Sequence, residues 1–199
     1  MIAGIILAAG ASSRMGTAKA LLEYRGETFV GRLVRVLGKS CNPVIVVLGY
    51  NADLLRKEVP PAALVVVNPD PSRGQLSSLQ TALSALPAQT DGFAFIPVDS
   101  PAVAENTVAS LAQAFAQRSP TTLFVIPRQF GKRGHPVFAA RSIAAELLAL
   151  PPTGEAREVV HAHVDRTEYV DVEDPGIFAD VDDPEAYRQL KERVKESPV

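Results

Sequence analysis

The stretch Ile2-Ala3-Gly4-Ile5-Ile6-Leu7-Ala8-Ala9-Gly10-Ala11-Ser12-Ser13-Arg14-Met15-Gly16 decides how this chain is read. Its first six residues form an apolar run rich in β-branched side chains, the pattern of a buried strand. The run empties into small residues, Ala8 to Ser13, and no acid stands before Lys19. With no bulky side chain in the way, the backbone N–H groups of such a loop can close on an anion. Arg14 and Lys19 supply the positive charge that phosphate requires. The stretch therefore reads as a phosphate site, of the kind a nucleoside triphosphate needs. Two familiar phosphate loops are excluded. The ATPase loop needs Gly, four residues, then Gly-Lys-Ser/Thr; Gly10 and Gly16 lie one residue too far apart, and Thr17 stands where lysine is required. The dinucleotide fingerprint Gly-x-Gly-x-x-Gly is missing between Ala8 and Gly16.

The rest of the chain must build what faces this loop. At 199 residues it can bury roughly 70% of its unfolded surface, and it reads as one domain over 1–199 with a polar tail from about Glu192 that frays. Apolar residues make up 47% of it, enough for a sizeable core. A net charge of −2 gives no electrostatic footprint for nucleic acid or for an anionic membrane, so positive potential has to be local. A lone cysteine, Cys41, excludes an internal disulfide and a cysteine-based zinc site. The first apolar run is too short and lacks the basic leader of a signal peptide, and no run reaches membrane-spanning length. The cytoplasm is the expected compartment.

Candidate strands are Ile2–Leu7, Val44–Leu48, Leu64–Val67, Phe93–Val98 and Thr122–Ile126. Most are continuous apolar runs, as in strands covered on both faces. Helical stripes alternate with them. Phe29, Leu33, Val36 and Leu37 follow a Thr28 cap; Leu76, Leu79, Leu83 and Leu86 form a second stripe; Val108, Leu111, Ala112 and Phe115 a third; Ile143, Leu147 and Leu148 a fourth. A last helix opens at Asp183-Pro184-Glu185 and buries Tyr187, Leu190 and Val194. The alternation predicts an α/β fold: a three-layer, Rossmann-like, mostly parallel sheet with helices on both faces. Ligands of such sheets bind at the carboxyl ends of the strands. Leu7 and Val98 both end there, so the Gly10 loop and Asp99 should converge.

Asp99, closing the strand that runs to Val98, is the best candidate ligand for a hard cation such as Mg²⁺. A second acid should come from Asp180-Val181-Asp182-Asp183. Asp180 and Asp182 share one face of an extended segment; Asp182 is favoured, Asp180 is the alternative, and Asp183 suits the helix cap. Asp171, Glu173 and Asp174 read as solvated acids. A second small-residue loop, Asn68 to Ser78, opens a helix, where Gly74, Ser77 and Ser78 can offer N–H and hydroxyl groups to base, ribose or an anion. Gly131-Lys132-Arg133-Gly134-His135-Pro136 suits an anionic substrate arriving opposite the nucleotide. His161 and His163 alternate as if on one strand face and read as structural.

Five pieces, in order along the chain, resemble the MobA-like nucleotidyltransferase superfamily, and its molybdenum cofactor cytidylyltransferases most closely. They are Leu7-Ala8-Ala9-Gly10-x-Ser12-x-Arg14-Met15-Gly16-x-x-Lys19, Gly74-x-x-Ser77-Ser78-Leu79, Asp99-x-Pro101-x-Val103, Arg133-Gly134-His135-Pro136-Val137 and Asp180-Val181-Asp182-x-Pro184-Glu185-x-Tyr187. The Ala8-Ala9-Gly10 triplet, the serine pair and Gly-His-Pro are similar to the cytidylyl branch, since the guanylyl branch typically shows Ala-Gly-Gly. The resemblance implies a fold of the nucleotide-diphospho-sugar transferase type. It implies joining of CTP to molybdopterin with Mg²⁺ and release of pyrophosphate. Leu7, Ala8, Ala9, Gly10, Ser12, Arg14, Lys19, Gly74, Ser77 and Ser78 would bind the nucleotide, with Arg14, Lys19 and Asp99 catalytic. Asp99 with Asp182 or Asp180 would hold the metal. Ser100, Arg133, Gly134 and His135 would face the acceptor. The family's Asp-Gln-Pro is Asp99-Ser100-Pro101 here, its Gly-Asp-x-Gly-Ala-Arg is Pro152-Thr153-Gly154-Glu155-Ala156-Arg157, and Gln75 replaces a frequent methionine. Two other readings stand beside it: the same chemistry on a sugar or polyol phosphate, and a non-catalytic carrier that binds the cofactor and docks on a molybdenum hydroxylase.

Overall fold

A computed structural model describes residues 1–196 of the chain. In chain order the strands and helices are β1 (Ile2–Ala8), β2 (Glu23–Tyr24), β3 (Glu27–Thr28), α1 (Phe29–Gly38), β4 (Val44–Leu48), α2 (Ala52–Arg56), β5 (Ala63–Val67), α3 (Gln75–Ser84), β6 (Gly92–Pro97), α4 (Glu105–Gln117), β7 (Phe124–Gln129), β8 (Lys132–Arg133), β9 (Val137–Ala140), α5 (Ile143–Ala149), α6 (Ala156–Ala162), β10 (Thr167–Asp171) and α7 (Pro184–Glu196). One sheet holds eight of the strands in the order β10-β7-β9-β6-β1-β4-β5, with β8 paired to β7. The pairs β1–β4, β1–β6, β4–β5 and β10–β7 are parallel, whereas β9 runs antiparallel to both β6 and β7.

The period of two in β1 shows why it sits at the centre. Ile6 and Ala8 pack into one core layer, and Ala3, Ile5 and Leu7 into the other. Helices α1, α4 and α7 cover the first face through Phe29, Leu33, Leu37, Val108, Leu111, Phe115 and Leu190. Helices α3, α5 and α6 cover the second through Leu79, Leu83, Leu147 and Val159. The expected α/β layering, helices on both faces of a mostly parallel sheet, is thus the architecture observed. Thr28 caps α1 by accepting from the Gly31 N–H at 3.1 Å, and Asp183 caps α7 by accepting from the Ala186 N–H at 2.8 Å.

Several expectations need correction. Strands β9 and β10, the short β8 and the β2–β3 hairpin escape the apolar-run pattern: β9 is only four residues long, and β10, Thr-Glu-Tyr-Val-Asp, is a polar edge strand. At the opposite edge, Leu64 and Val67 of β5 are exposed rather than covered. Leu148 of α5 points to solvent, and Leu86 is buried just beyond the end of α3. His161 lies inside α6 and His163 closes it, so the two do not share a strand face. Helix α7 takes in most of the stretch expected to fray; residues 197–199 and the side chain of Val194 lie outside the described residues. No helix among the described residues is long and apolar enough to cross a membrane.

Candidate active site

The carboxyl ends of β1, β4 and β6 meet at one edge of the sheet, and the chain ties them there. The Val98 N–H donates to the Leu7 carbonyl at 3.0 Å, and the Tyr50 N–H to the Ala9 carbonyl at 3.2 Å. Gly49 makes this closeness possible, because a Cβ there would stand 2.7 Å from the Ala9 carbonyl oxygen and 2.8 Å from Pro71 Cβ. Sequence reading passed over Gly49; the glycine at the end of an apolar run was its only signal.

The loop after β1 is held by its own serine. Ser12 takes a positive φ of 51°, and its Oγ accepts from the Lys19 N–H at 2.9 Å, which aims the short turn Lys19–Leu21 back at the sheet. Lys19 Nζ then donates to Asp99 Oδ2 and to Asp182 Oδ1, both at 2.8 Å. Arg14 Nη2 stands 3.6 Å from Asp182 Oδ1. The predicted convergence therefore occurs, with Lys19 as the link to Asp99. These groups line a cleft of about 250 Å³ together with Leu7, Ala8, Ala9, Gly10, Ser12, Gly74 and Ser78. Burial alone would pull the Lys19 pKa down, but hydrogen bonds to Asp182 and Asp99 outweigh it and hold the ammonium above the ordinary lysine value. The Asp99 carboxyl is raised as well: burial pushes it above the usual carboxylate value, and the hydrogen bond from Lys19 offsets only part of that. Asp182, half-exposed, is held below the usual carboxylate range by its hydrogen bond to Lys19.

A second cavity, of about 760 Å³, shares Leu7, Gly74 and Gln75 with the first. Because β9 is antiparallel, the residues that precede it reach the functional edge, and Arg133, Gly134 and His135 line this chamber. Pro152 to Arg157, His161 and Asp180 close other walls. Gly134 is pressed against the turn Pro175–Phe178; a Cβ there would lie 2.4 Å from the Ile177 carbonyl oxygen. The His135 N–H donates to that same carbonyl at 3.0 Å. Its ring stands edge-on to Phe95 at 6.3 Å, and its buried Nδ1 has no protein partner. Burial pulls the His135 pKa down, against Asp180 and Asp99, so the imidazole is neutral at pH 7.

Two expected binding residues turn out to be braces. Ser77 lines neither cavity: its hydroxyl donates to the Gly74 carbonyl at 2.8 Å and accepts from Asn68 Nδ2 at 2.8 Å, fastening the loop that carries Gly74. Ser100 is fully buried, and its Oγ donates to Asp180 Oδ1 at 2.6 Å. Asp180 is thereby turned to the chamber, while Asp182 lines the cleft and shares the Lys19 ammonium with Asp99. Among the described residues no group of three or more His, Cys, Asp or Glu side chains has metal-ligand spacing. Two carboxylates sharing one ammonium do fit a hard dication that takes its other oxygens from phosphate and water.

Asp174 is the largest miss. It is buried, not solvated: Oδ2 accepts from the Ala104 N–H at 2.8 Å and from Thr107 Oγ1 at 2.7 Å, and Oδ1 from the Gly176 N–H at 2.8 Å. It joins the segment after Asp99 to the turn that leads to Asp180 and Asp182. Arg32 grips the same segment from behind, donating from Nε to the Pro101 carbonyl at 2.7 Å and from Nη2 to the Val103 carbonyl at 3.2 Å. Tyr187 of α7 completes the frame, its hydroxyl donating to the Glu23 carbonyl at 2.9 Å.

A mostly parallel sheet whose strand-end loops gather two cations and two carboxylates beside a larger chamber defines a nucleotide-handling α/β transferase. Residues 4–167 match the model of the MobA-like NTP transferase domain, and the chain belongs to that family and is a nucleotidyltransferase. A molybdenum cofactor cytidylyltransferase of Escherichia coli (strain K12) is 26% identical over 194 residues, covering 96% of each chain. A probable molybdenum cofactor guanylyltransferase of Rhodopirellula baltica is 33% identical over 146 residues, covering 71% of this chain and 68% of its own. The crystal structure of Rv0371c from Mycobacterium tuberculosis H37Rv matches with a TM-score of 0.80 at 31% identity, covering 96% of this chain and 97% of that one. A manganese complex of that protein matches with a TM-score of 0.74 at 29% identity, covering 96% and 98%.

Proposed function

We propose that this protein is a cytidylyltransferase of molybdenum cofactor biosynthesis, transferring CMP from CTP to the terminal phosphate of molybdopterin. The observation that carries this reading is the junction of the two cavities at Leu7, Gly74 and Gln75. One cavity has the charge for a triphosphate and the other the room for a fused-ring acceptor. An acceptor phosphate oxygen attacks the α-phosphorus, the bond from that phosphorus to the bridging oxygen breaks, and pyrophosphate leaves with the electron pair. Such a reaction is driven by positioning and electrostatics. The Ala9 to Ser13 loop holds phosphate oxygens through its N–H groups, and Arg14 and Lys19 supply charge. Asp99 and Asp182 would hold Mg²⁺, which neutralises the phosphate charge when bound; the manganese complex of the relative supports a divalent ion in this fold. Neutral His135 and Arg133 orient the acceptor, and Pro152 to Arg157 wall its far end. The cytidylyl choice is supported by Ala8-Ala9-Gly10 and by the end-to-end match to a named cytidylyltransferase.

A thermal-shift comparison of CTP, GTP, ATP and UTP, each with Mg²⁺, tests the base, and pyrophosphate release with molybdopterin tests the acceptor. CTP is expected to give the largest shift and the only turnover. A larger shift with GTP would overturn the cytidylyl assignment. Release with a polyol phosphate but not with molybdopterin would overturn the acceptor.

A further inference from the structure

Lys19 does more than carry charge toward a nucleotide. Its ammonium lies 2.8 Å from one oxygen of each carboxylate the proposed function assigns to the metal. Its side chain is only 13% exposed, so it is held in this seat by the protein and not resting on the surface. The Ser12 clip on its backbone fixes the direction of approach. Two carboxylates, Lys19 and the nearby Arg14 sum to zero charge, and a polar, partly buried quartet of this kind is satisfied as it stands. A Mg²⁺ or Mn²⁺ ion held by Asp99 and Asp182 at about 2.1 Å would draw on the same two carboxylates that now balance the ammonium. A dication and an ammonium on these carboxylates repel each other, because both cations would lie within a few ångströms of each other in a partly dry site.

We infer that Lys19 is a built-in placeholder cation that blocks the metal seat until a nucleoside triphosphate draws it away, so that metal enters only with nucleotide. This rests on the proposed reading of the cleft. Phosphate oxygens arriving along the Ala9–Ser13 loop give the ammonium a new partner. Only then are Asp99 and Asp182 left with uncompensated charge, and the incoming dication restores the balance. Departure of pyrophosphate would reverse the exchange: the ammonium returns to the carboxylates and weakens the hold on the metal. Lys19 thereby couples the two ligands as a matter of charge, with no movement of the sheet required.

Binding of Mn²⁺ measured by electron paramagnetic resonance on the whole protein separates the outcomes. In the absence of nucleotide, Lys19→Met, which keeps the buried stem, and Lys19→Gln are each expected to bind Mn²⁺ at least tenfold more tightly than the wild type. With a non-hydrolysable CTP analogue, the wild type is expected to gain tenfold or more in Mn²⁺ affinity, whereas both variants gain little. Equal or weaker Mn²⁺ binding by two folded variants without nucleotide would overturn the placeholder role. If neither variant folds, the wild type still decides: tight Mn²⁺ binding that the analogue leaves unchanged would overturn it. Adding Asp99→Asn to Lys19→Met distinguishes this failure from that of the underlying reading. Loss of Mn²⁺ binding keeps the metal at Asp99, whereas unchanged binding removes the metal from this cleft and the proposed site with it.

Discussion

The small cleft and the large chamber lie at one edge of the same sheet, yet they are built by different rules. The cleft belongs to the parallel half, β1, β4 and β6, where each strand delivers its following loop to the site. Lys19, Asp99 and Asp182 reach each other there through direct hydrogen bonds of 2.8 Å. The chamber belongs to the mixed half, where β9 reverses direction and delivers its preceding residues, and where α6 and the turn Pro175–Phe178 supply the rest. Its walls leave a buried imidazole nitrogen without a partner. One region is closed on itself by charge; the other is left unsatisfied for something to fill. The difference matches a transferase that must hold a common donor by its phosphates and a particular acceptor by its shape.

The sharpest way to break this contrast is at Asp99. Burial already disfavours its charge, so Asp99→Asn should leave the fold and melting temperature nearly unchanged. Turnover is expected to fall on the order of 10²–10³-fold, as when one electrostatic stabiliser is removed from a preorganised site. Steady-state pyrophosphate release checks it, and a variant within twofold of wild type would separate the cleft from the chemistry.

Lys19→Ala comes next. Charged hydrogen bonds are worth roughly 1.5–3 kcal/mol, so turnover with saturating acceptor should fall about ten- to a hundredfold. The loss should show with every acceptor tested, because the residue belongs to the donor side. A defect confined to the acceptor's KM would contradict the division of labour between the two regions.

The cleft was legible in the sequence because its residues are local or follow a strand directly. Leu7 to Lys19 is one continuous motif, and Asp99 closes an apolar run. The chamber was only half legible. Gly-His-Pro could be seen, but β9, four residues long, could not, and β10 hides behind alternating polar residues. Ser77 and Ser100 show a physical limit of the sequence: a hydroxyl at the start of a helix or after an aspartate can serve a ligand or the protein, and only its hydrogen-bond partners in the fold show the bracing role found here. Asp174 was misread for the same reason. Its neighbours Asp171 and Glu173 are exposed, while Asp174 sits where three donors, distant in sequence or facing inward, converge on it.

That convergence makes Asp174 the joint between the two regions. Asp174→Ala would leave the Ala104 and Gly176 N–H groups and the Thr107 hydroxyl without their acceptor, at a cost of about 3 kcal/mol. For a chain of this length that is roughly 6–12 °C in melting temperature. Asp174→Asn keeps one carbonyl oxygen and should lose about half as much. If the two regions were independent, the folded fraction of Asp174→Ala would keep a normal nucleotide KM and a normal acceptor KM. Linkage through Asp174 predicts that both rise, since the segment after Asp99 and the turn before Asp180 loosen together.

The smallest effect is expected at His135, and it bears on the chamber alone. The ring donates or accepts one neutral hydrogen bond at most through Nδ1, so His135→Leu should raise the acceptor's KM about two- to tenfold. The nucleotide's KM should not move, because His135 does not line the cleft. The sign of the pH dependence follows from burial. With its pKa pulled below the ordinary 6.5, the imidazole is neutral above that pH and gains its proton only on the acid side. The ratio of acceptor KM in the leucine variant to that in the wild type should therefore stay nearly flat on the alkaline side, from about pH 7.5 to 8.5, and change only as the pH falls into the acid range. A ratio that instead drifts across that alkaline range would mean that the ring titrates in the chamber. The neutral, unsatisfied wall that distinguishes this region from the charge-paired cleft would then be wrong.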